Sequence, residues 1–187
     1  MNEPEDMQPV TDKFSMALTP RLEIVCNEKR FSNLYDLEAE VEKEEKPDSI
    51  EFHVNARLLH APLLEPESPV SPESGEAACT LSYRFTDDAV EISAVMRKTP
   101  EFDRLEFVLP VISPTGEKVK REDSGSYIIE KPAGKIAVWS NANLVIPEFD
   151  RERVFNHVPG FEAVPLVAKW DVKSMPTLQI KLQVLPS

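Results

Sequence analysis

The chain has 187 residues, 41% of them hydrophobic, and its 33 acidic side chains against 21 basic ones give a formal net charge of −12. That length suits one sizeable core, and the acid balance argues against a nucleic-acid partner, because no Lys/Arg cluster is large enough to offset repulsion from a phosphate backbone. No apolar run reaches the length of a membrane span, and 17 Pro against 5 Gly point to strand-ending turns rather than a helix-rich fold.

The N-terminal residues 1–20 mix Pro4, Pro9 and Pro20 with acids and a weak apolar pattern at Phe14, Met16 and Leu18, and are read as a flexible arm or edge strand. Residues 21–187 are read as a single β-sandwich domain. Leu22, Ile24 and Cys26 share one face of a first strand. From Asn33 to Lys46, Leu34, Leu37 and Val41 recur at helical spacing until Pro47, which predicts one short helix or a mobile loop. The acid-rich stretch 36–48 is expected to be solvated rather than a cation site, because no glycine shapes a ligand loop there.

The cleanest period-two run is Ser49 to His60, with Ile50, Phe52, Val54, Ala56 and Leu58 on one face, which predicts a central strand. Four prolines between Ala61 and Glu76 predict a crossing loop. A long hairpin follows over Cys79–Met96. Cys79, Leu81, Tyr83 and Phe85 alternate with Thr80, Ser82, Arg84 and Thr86, Asp87-Asp88 make the turn, and Val90, Ile92, Ala94 and Met96 resume the pattern. The rest of the chain is expected to add strands around this hairpin.

Leu105 to Ile112 is apolar on both sides near its end, which predicts a strand with a second layer over one face. Ser126–Glu130 and Lys135–Ser140 pair through Pro132-Ala-Gly134, and Leu144–Ile146 continues the sheet. The polar, aperiodic stretch 147–160 is read as a long surface loop. Two further runs, 163–170 and 177–184, complete an all-β, antiparallel β-sandwich of about nine or ten strands with at most one short helix.

No stretch carries a specific catalytic motif. His53, His60 and His157 stand in no nucleophile frame, and the serines lie in no Gly-x-Ser-x-Gly turn, so no catalytic residue is assigned. Widely spaced histidines and the lack of Cys-x-x-Cys leave metal ligands and cofactors unassigned. Cys26 and Cys79 sit in apolar strand patterns and are read as reduced core residues, with a disulfide between them as the alternative. A polar, acidic start gives no export signal, so the chain reads as soluble, cytoplasmic as written or secreted if cut from a larger protein.

Carbohydrate binding is the chemistry the residues suit best, since aromatic faces stack on sugar rings while amides and charged groups hydrogen-bond hydroxyls. The candidate residues are Trp139, Asn141, Asn143, Glu148, Asp150, Arg151 and His157. Trp170 shares the phase of Leu166 and Ala168 and is assigned to the core; for Trp139 core and platform both stay open, because Ile136 and Val138 hold the opposite phase.

Leu81–Ile92, Leu105–Val111 and the stretch Val154 to Pro165 with Gly160-Phe-Glu-Ala-Val-Pro165 resemble the β-rich C-terminal modules of bacterial heparinase-type polysaccharide lyases and related supersandwich domains, over roughly the second half of the chain. In that family the lyase chemistry lies mainly in a helical domain and its junction with the sandwich. The resemblance therefore implies a non-catalytic accessory or C-terminal module of a carbohydrate-processing protein, with carbohydrate or a neighbouring catalytic domain as partner, and transfers no active-site residue. Two other readings remain open: a stand-alone sugar-active enzyme or isomerase with an acidic cleft at Glu148, Asp150, Arg151 and His157, and an adaptor binding proteins through an uncovered sheet edge.

Overall fold

The computed structural model describes residues 19–27, 29–60, 73–112, 117–147 and 163–186, with backbone only for 73–76. These residues form thirteen strands of one antiparallel sheet. In chain order they are β1 (Arg21–Cys26), β2 (Lys29–Ser32), β3 (Glu40–Lys46), β4 (Ser49–His60), β5 (Glu73–Phe85), β6 (Ala89–Lys98), β7 (Arg104–Ile112), β8 (Val119–Arg121), β9 (Tyr127–Lys131), β10 (Gly134–Ser140), β11 (Asn143–Val145), β12 (Ala163–Lys169) and β13 (Thr177–Leu185). Neighbours run β11-β12-β7-β1-β2-β4-β5-β6-β13-β10-β9-β8, with β3 paired to β4 outside that path.

The β5–β6 hairpin lies in the middle of this order, as its alternation and Asp-Asp turn predict. Phe85 pairs with Val90, and the Thr86 amide donates to the Ala89 carbonyl at 2.9 Å while its hydroxyl accepts from the Ala89 amide at 3.1 Å. The sheet then has to curl. β10 pairs with β13 as far as Ser140, and after only two intervening residues β11 pairs with β12 at the opposite end of the strand order. One stretch of chain thus belongs to both ends of the sheet, and β11, β12, β7 and β1 fold over β5, β6, β13, β10 and β9.

Between the two halves lies one continuous core. Leu22 and Ile24 of β1, Phe107 and Leu109 of β7 and Leu166 of β12 join a cluster with Cys79 and Leu81 of β5, Ile92 of β6, Val138 of β10, and Leu178 and Ile180 of β13. Trp170 is part of it, 3% exposed, and its indole N–H donates to the Met175 carbonyl at 2.7 Å. Cys79 is buried and Cys26 half-buried, both with free thiols on the core side. Burial pushes the Cys79 thiol up to about 12.

The second face of β7 and its neighbours is buried too, as the doubly apolar run 105–112 predicts. Val108 and Val167 have no more than 1% exposure there, beside an ion cluster in which Glu23 accepts from Arg21 and Arg30, each at 2.5 Å.

Three expectations need correcting. The sheet has thirteen strands instead of nine or ten, the additions being the short or peripheral β2, β3 and β8. Among the described residues the helix expected in 33–46 shrinks to a single 3-10 turn at Asn33–Tyr35, and Glu40–Lys46 is the edge strand β3. The helical spacing had no buried face behind it, for Leu37 is 95% exposed. Asp36 ends the turn by taking Arg57 of β4 as its partner, and β3 is held by ladder bonds to β4 from Glu40–Asn55 to Lys46–Ser49. Finally, β5 begins at Glu73, inside the segment expected to be a crossing loop. Residues 1–18 of the arm, 61–72 of that loop and 148–160 of the surface loop lie outside the described residues.

Candidate functional site

Because strand side chains alternate, the half made of β4, β5, β6, β13 and β10 turns its apolar phase to the core and its polar phase outward. Register aligns the outward residues into rows. Trp139 of β10 stands opposite Lys181 of β13, Lys181 opposite Glu91 of β6, Glu91 opposite Arg84 of β5, and Arg84 opposite Glu51 of β4. The charges alternate and contact one another: Lys181 Nζ to Glu91 Oε1 is 3.5 Å, Arg84 Nη1 to Glu91 Oε2 is 3.3 Å, and Arg84 Nε to Glu51 Oε1 is 3.4 Å.

Trp139 is 43% exposed, which decides between the two placements left open for it: its indole lies on the outer face and is not core. The difference from Trp170 is one of phase. Trp139 is out of step with Val138, which is fully buried, whereas Trp170 follows Leu166 and Ala168 inward.

The next row contains Asn141, Gln179 and Ser93. Asn141 spends its side chain on β13, its Oδ1 accepting the Gln179 amide at 2.8 Å and its Nδ2 donating to the Thr177 carbonyl at 3.0 Å. It thus extends the ladder past the end of β10. Asn143 is exposed on the outermost strand β11. Glu148, Asp150, Arg151 and His157 lie outside the described residues, so the structure places only Trp139, Asn141 and Asn143 of the seven candidates. Beside Trp139 it brings Lys181 and Gln179 of β13, with Glu91 of β6 next to Lys181.

At the far side of the same face, Glu44, Glu51 and His53 bring their ligand atoms within 4.8 Å of one another. Lys46 already engages both carboxylates, at 3.3 Å to Glu44 and 2.9 Å to Glu51, and its hydrogen bond holds the Glu51 carboxyl below its usual range. His53 Nδ1 meets the Ser82 hydroxyl at 2.9 Å. This trio is a compensated surface cluster. Among the described residues β3 is bonded to β4 alone, and its sequence Glu-Val-Glu-Lys-Glu-Glu-Lys is exposed throughout, so charge guards that edge against strand addition.

A curled antiparallel sheet around one core, with an aromatic on its outer face, has the architecture of a β-sandwich module. A family model described as the ulvan lyase C-terminal domain matches residues 1–185, and the chain belongs to that family. The likeness to polysaccharide lyase C-terminal modules therefore runs through the whole chain, beyond the second half where it was read. The chain is 32% identical over 169 residues to a broad-specificity ulvan lyase of Formosa agariphila, an alignment covering 89% of this chain and 25% of that protein. It spans about a quarter of the length of the curated relative it matches. No solved structure matches it. Among the described residues no helix is long and apolar enough to cross a membrane.

Proposed function

We propose that this domain is the non-catalytic C-terminal accessory module of a polysaccharide lyase and that it holds the polysaccharide against its outer sheet face. The observation that carries the reading is Trp139, a large flat aromatic held exposed on a strand paired with β13, where it adds nothing to the core. Lyase chemistry defines the ligand class. A polysaccharide lyase removes the proton on the carbon next to a carboxylate; the electron pair forms a C=C bond and expels the glycosidic oxygen, which leaves with a proton. Such a substrate must carry uronates.

Affinity electrophoresis through a gel containing ulvan tests this, with the same protein assayed for the ultraviolet absorbance of an unsaturated uronate. Retardation without product is expected. Product formation would overturn the non-catalytic assignment, and unretarded migration would overturn the polysaccharide contact.

A further inference from the structure

We propose that Trp139, Lys181, Gln179 and Ser93 form a subsite for a single uronate unit, with Trp139 beneath the sugar ring, Lys181 pairing with its carboxylate, and Gln179 and Ser93 bonding its hydroxyls. The proposal rests on the reading of the domain as a polysaccharide-holding module and adds where the chain is held and by what chemistry.

The charge ladder singles out Lys181. Arg84 is saturated from both sides, by Glu51 at 3.4 Å and Glu91 at 3.3 Å, with Asp48 a further 3.4 Å contact. Lys181 closes the ladder: Glu91 lies on one side at 3.5 Å, and the cross-strand neighbour on the other side is the Trp139 indole. The Lys181 side chain is 38% exposed, and the residue across from it on β10 is an aromatic, not an acid. An anion bound over Trp139 therefore meets a cation that is only half compensated. Neither a neutral sugar nor a free anion uses both features; a uronate ring does, with an apolar ring face for the indole and a carboxylate for the amine.

Hydrogen-bonding groups stand one row away. Gln179 is the diagonal neighbour of Trp139 and the direct partner of Ser93. Gln179 is exposed, and neither side chain has a hydrogen bond among the described residues, so both are available to hydroxyls. Along the row, Glu51 and Glu91 cancel Arg84 and Lys181, which leaves a locally balanced strip on a chain of net charge −12. At physiological ionic strength, charges beyond about 8 Å are largely screened, so this local balance governs the final approach of a polyanion.

The competing explanation is an ordinary solvated charge ladder with an aromatic lying over a lysine stem. The two separate on titration of the chain with uronate-bearing oligosaccharides from ulvan and with their carboxyl-reduced, neutral counterparts, following tryptophan emission, since Trp139 is exposed while Trp170 is sealed in the core. Saturable binding of the acidic oligosaccharide is expected. Lys181→Gln should weaken it about tenfold, as for one lost charge-assisted bond. Carboxyl reduction should weaken binding to the wild type by the same factor and leave Lys181→Gln indifferent to the change. Arg84→Gln, in the same ladder, should alter affinity less than about twofold, and Trp139→Ala should abolish retardation in the ulvan gel. Equal losses for Arg84→Gln and Lys181→Gln, or an unchanged affinity for Lys181→Gln, would overturn the subsite while leaving the module a polysaccharide binder. No binding by the wild type would overturn that broader reading as well.

Discussion

Asp36 is the residue whose replacement best tests the account of how the sheet is held at its β2–β4 junction. Its carboxylate is 2% exposed and accepts from the Arg57 amide at 2.7 Å, from Arg57 Nη2 at 2.6 Å and Nε at 3.2 Å, and from the Glu38 amide at 3.3 Å. Removing it in Asp36→Ala leaves a backbone N–H of β4 without its acceptor, which costs about 1–3 kcal/mol. The guanidinium is 46% exposed, so water compensates it, and the ion-pair share stays near the surface range of up to about 1 kcal/mol. The expected total is about 3 kcal/mol. Asp36→Asn keeps an oxygen for the Arg57 amide and should cost about 1 kcal/mol. Urea unfolding at pH 7, with unchanged m-values, measures both. The pH dependence follows from Arg57, whose hydrogen bond holds the Asp36 carboxyl below its usual range. A carboxyl depressed in the fold stabilises above its unfolded value of about 3.8 and loses that stabilisation as pH falls through the folded value. The gap between wild type and Asp36→Asn should therefore close on acidification below pH about 4. A cost for Asp36→Ala under about 0.5 kcal/mol, or a gap for Asp36→Asn that does not change with pH, would refute the junction as described.

Two further outcomes are expected. Burial pushes the Cys79 thiol and the Tyr83 phenol each up to about 12, from 9.0 and 10.0, so the fold prefers their protonated forms; stability should be full below pH about 9 and fall as pH rises toward 12. The thiol's share is on the order of 4 kcal/mol at the alkaline limit, and in urea titrations between pH 8 and 11 Cys79→Ala should flatten the decline. Trp170→Phe, which leaves the Met175 carbonyl without its indole donor and opens space in the core, should cost about 2 kcal/mol of thermal or urea stability while leaving ulvan-gel retardation unchanged.

Sequence periodicity resolved what one buried face imposes. The β5–β6 hairpin, β4 and β13 announce themselves because the half-buried sheet demands an apolar residue at every second position, and the Asp87-Asp88 turn fixes their phase. The same rule assigned Trp170 to the core. β3 escaped because an edge strand exposed along its length has no apolar period to read, and its Val41 fell at helical spacing from Leu34 and Leu37 before it. β2 and β8 are four and three residues long, too short for any period to register. The site was only half legible for a related reason. Trp139 is visible in its own strand, but its neighbours Lys181 and Glu91 come from strands 42 and 48 positions away, and only the register of β13 between β10 and β6 brings them together.

Asn141 shows why a polar residue next to an exposed tryptophan is not automatically a ligand for the same sugar. Its amide is committed at both ends to β13, and its own backbone N–H donates to the Gln179 carbonyl at 3.1 Å. Those bonds fix Gln179 relative to Trp139, two residues before Asn141, at the place where the chain leaves one half of the sheet for the other through buried Ala142. A binding surface gains affinity when its groups are already fixed before the ligand arrives, because less ordering remains to be done on association. In the proposed subsite Asn141 is therefore a positioning residue, and its bonds to β13 stand beside the crossover that closes the core.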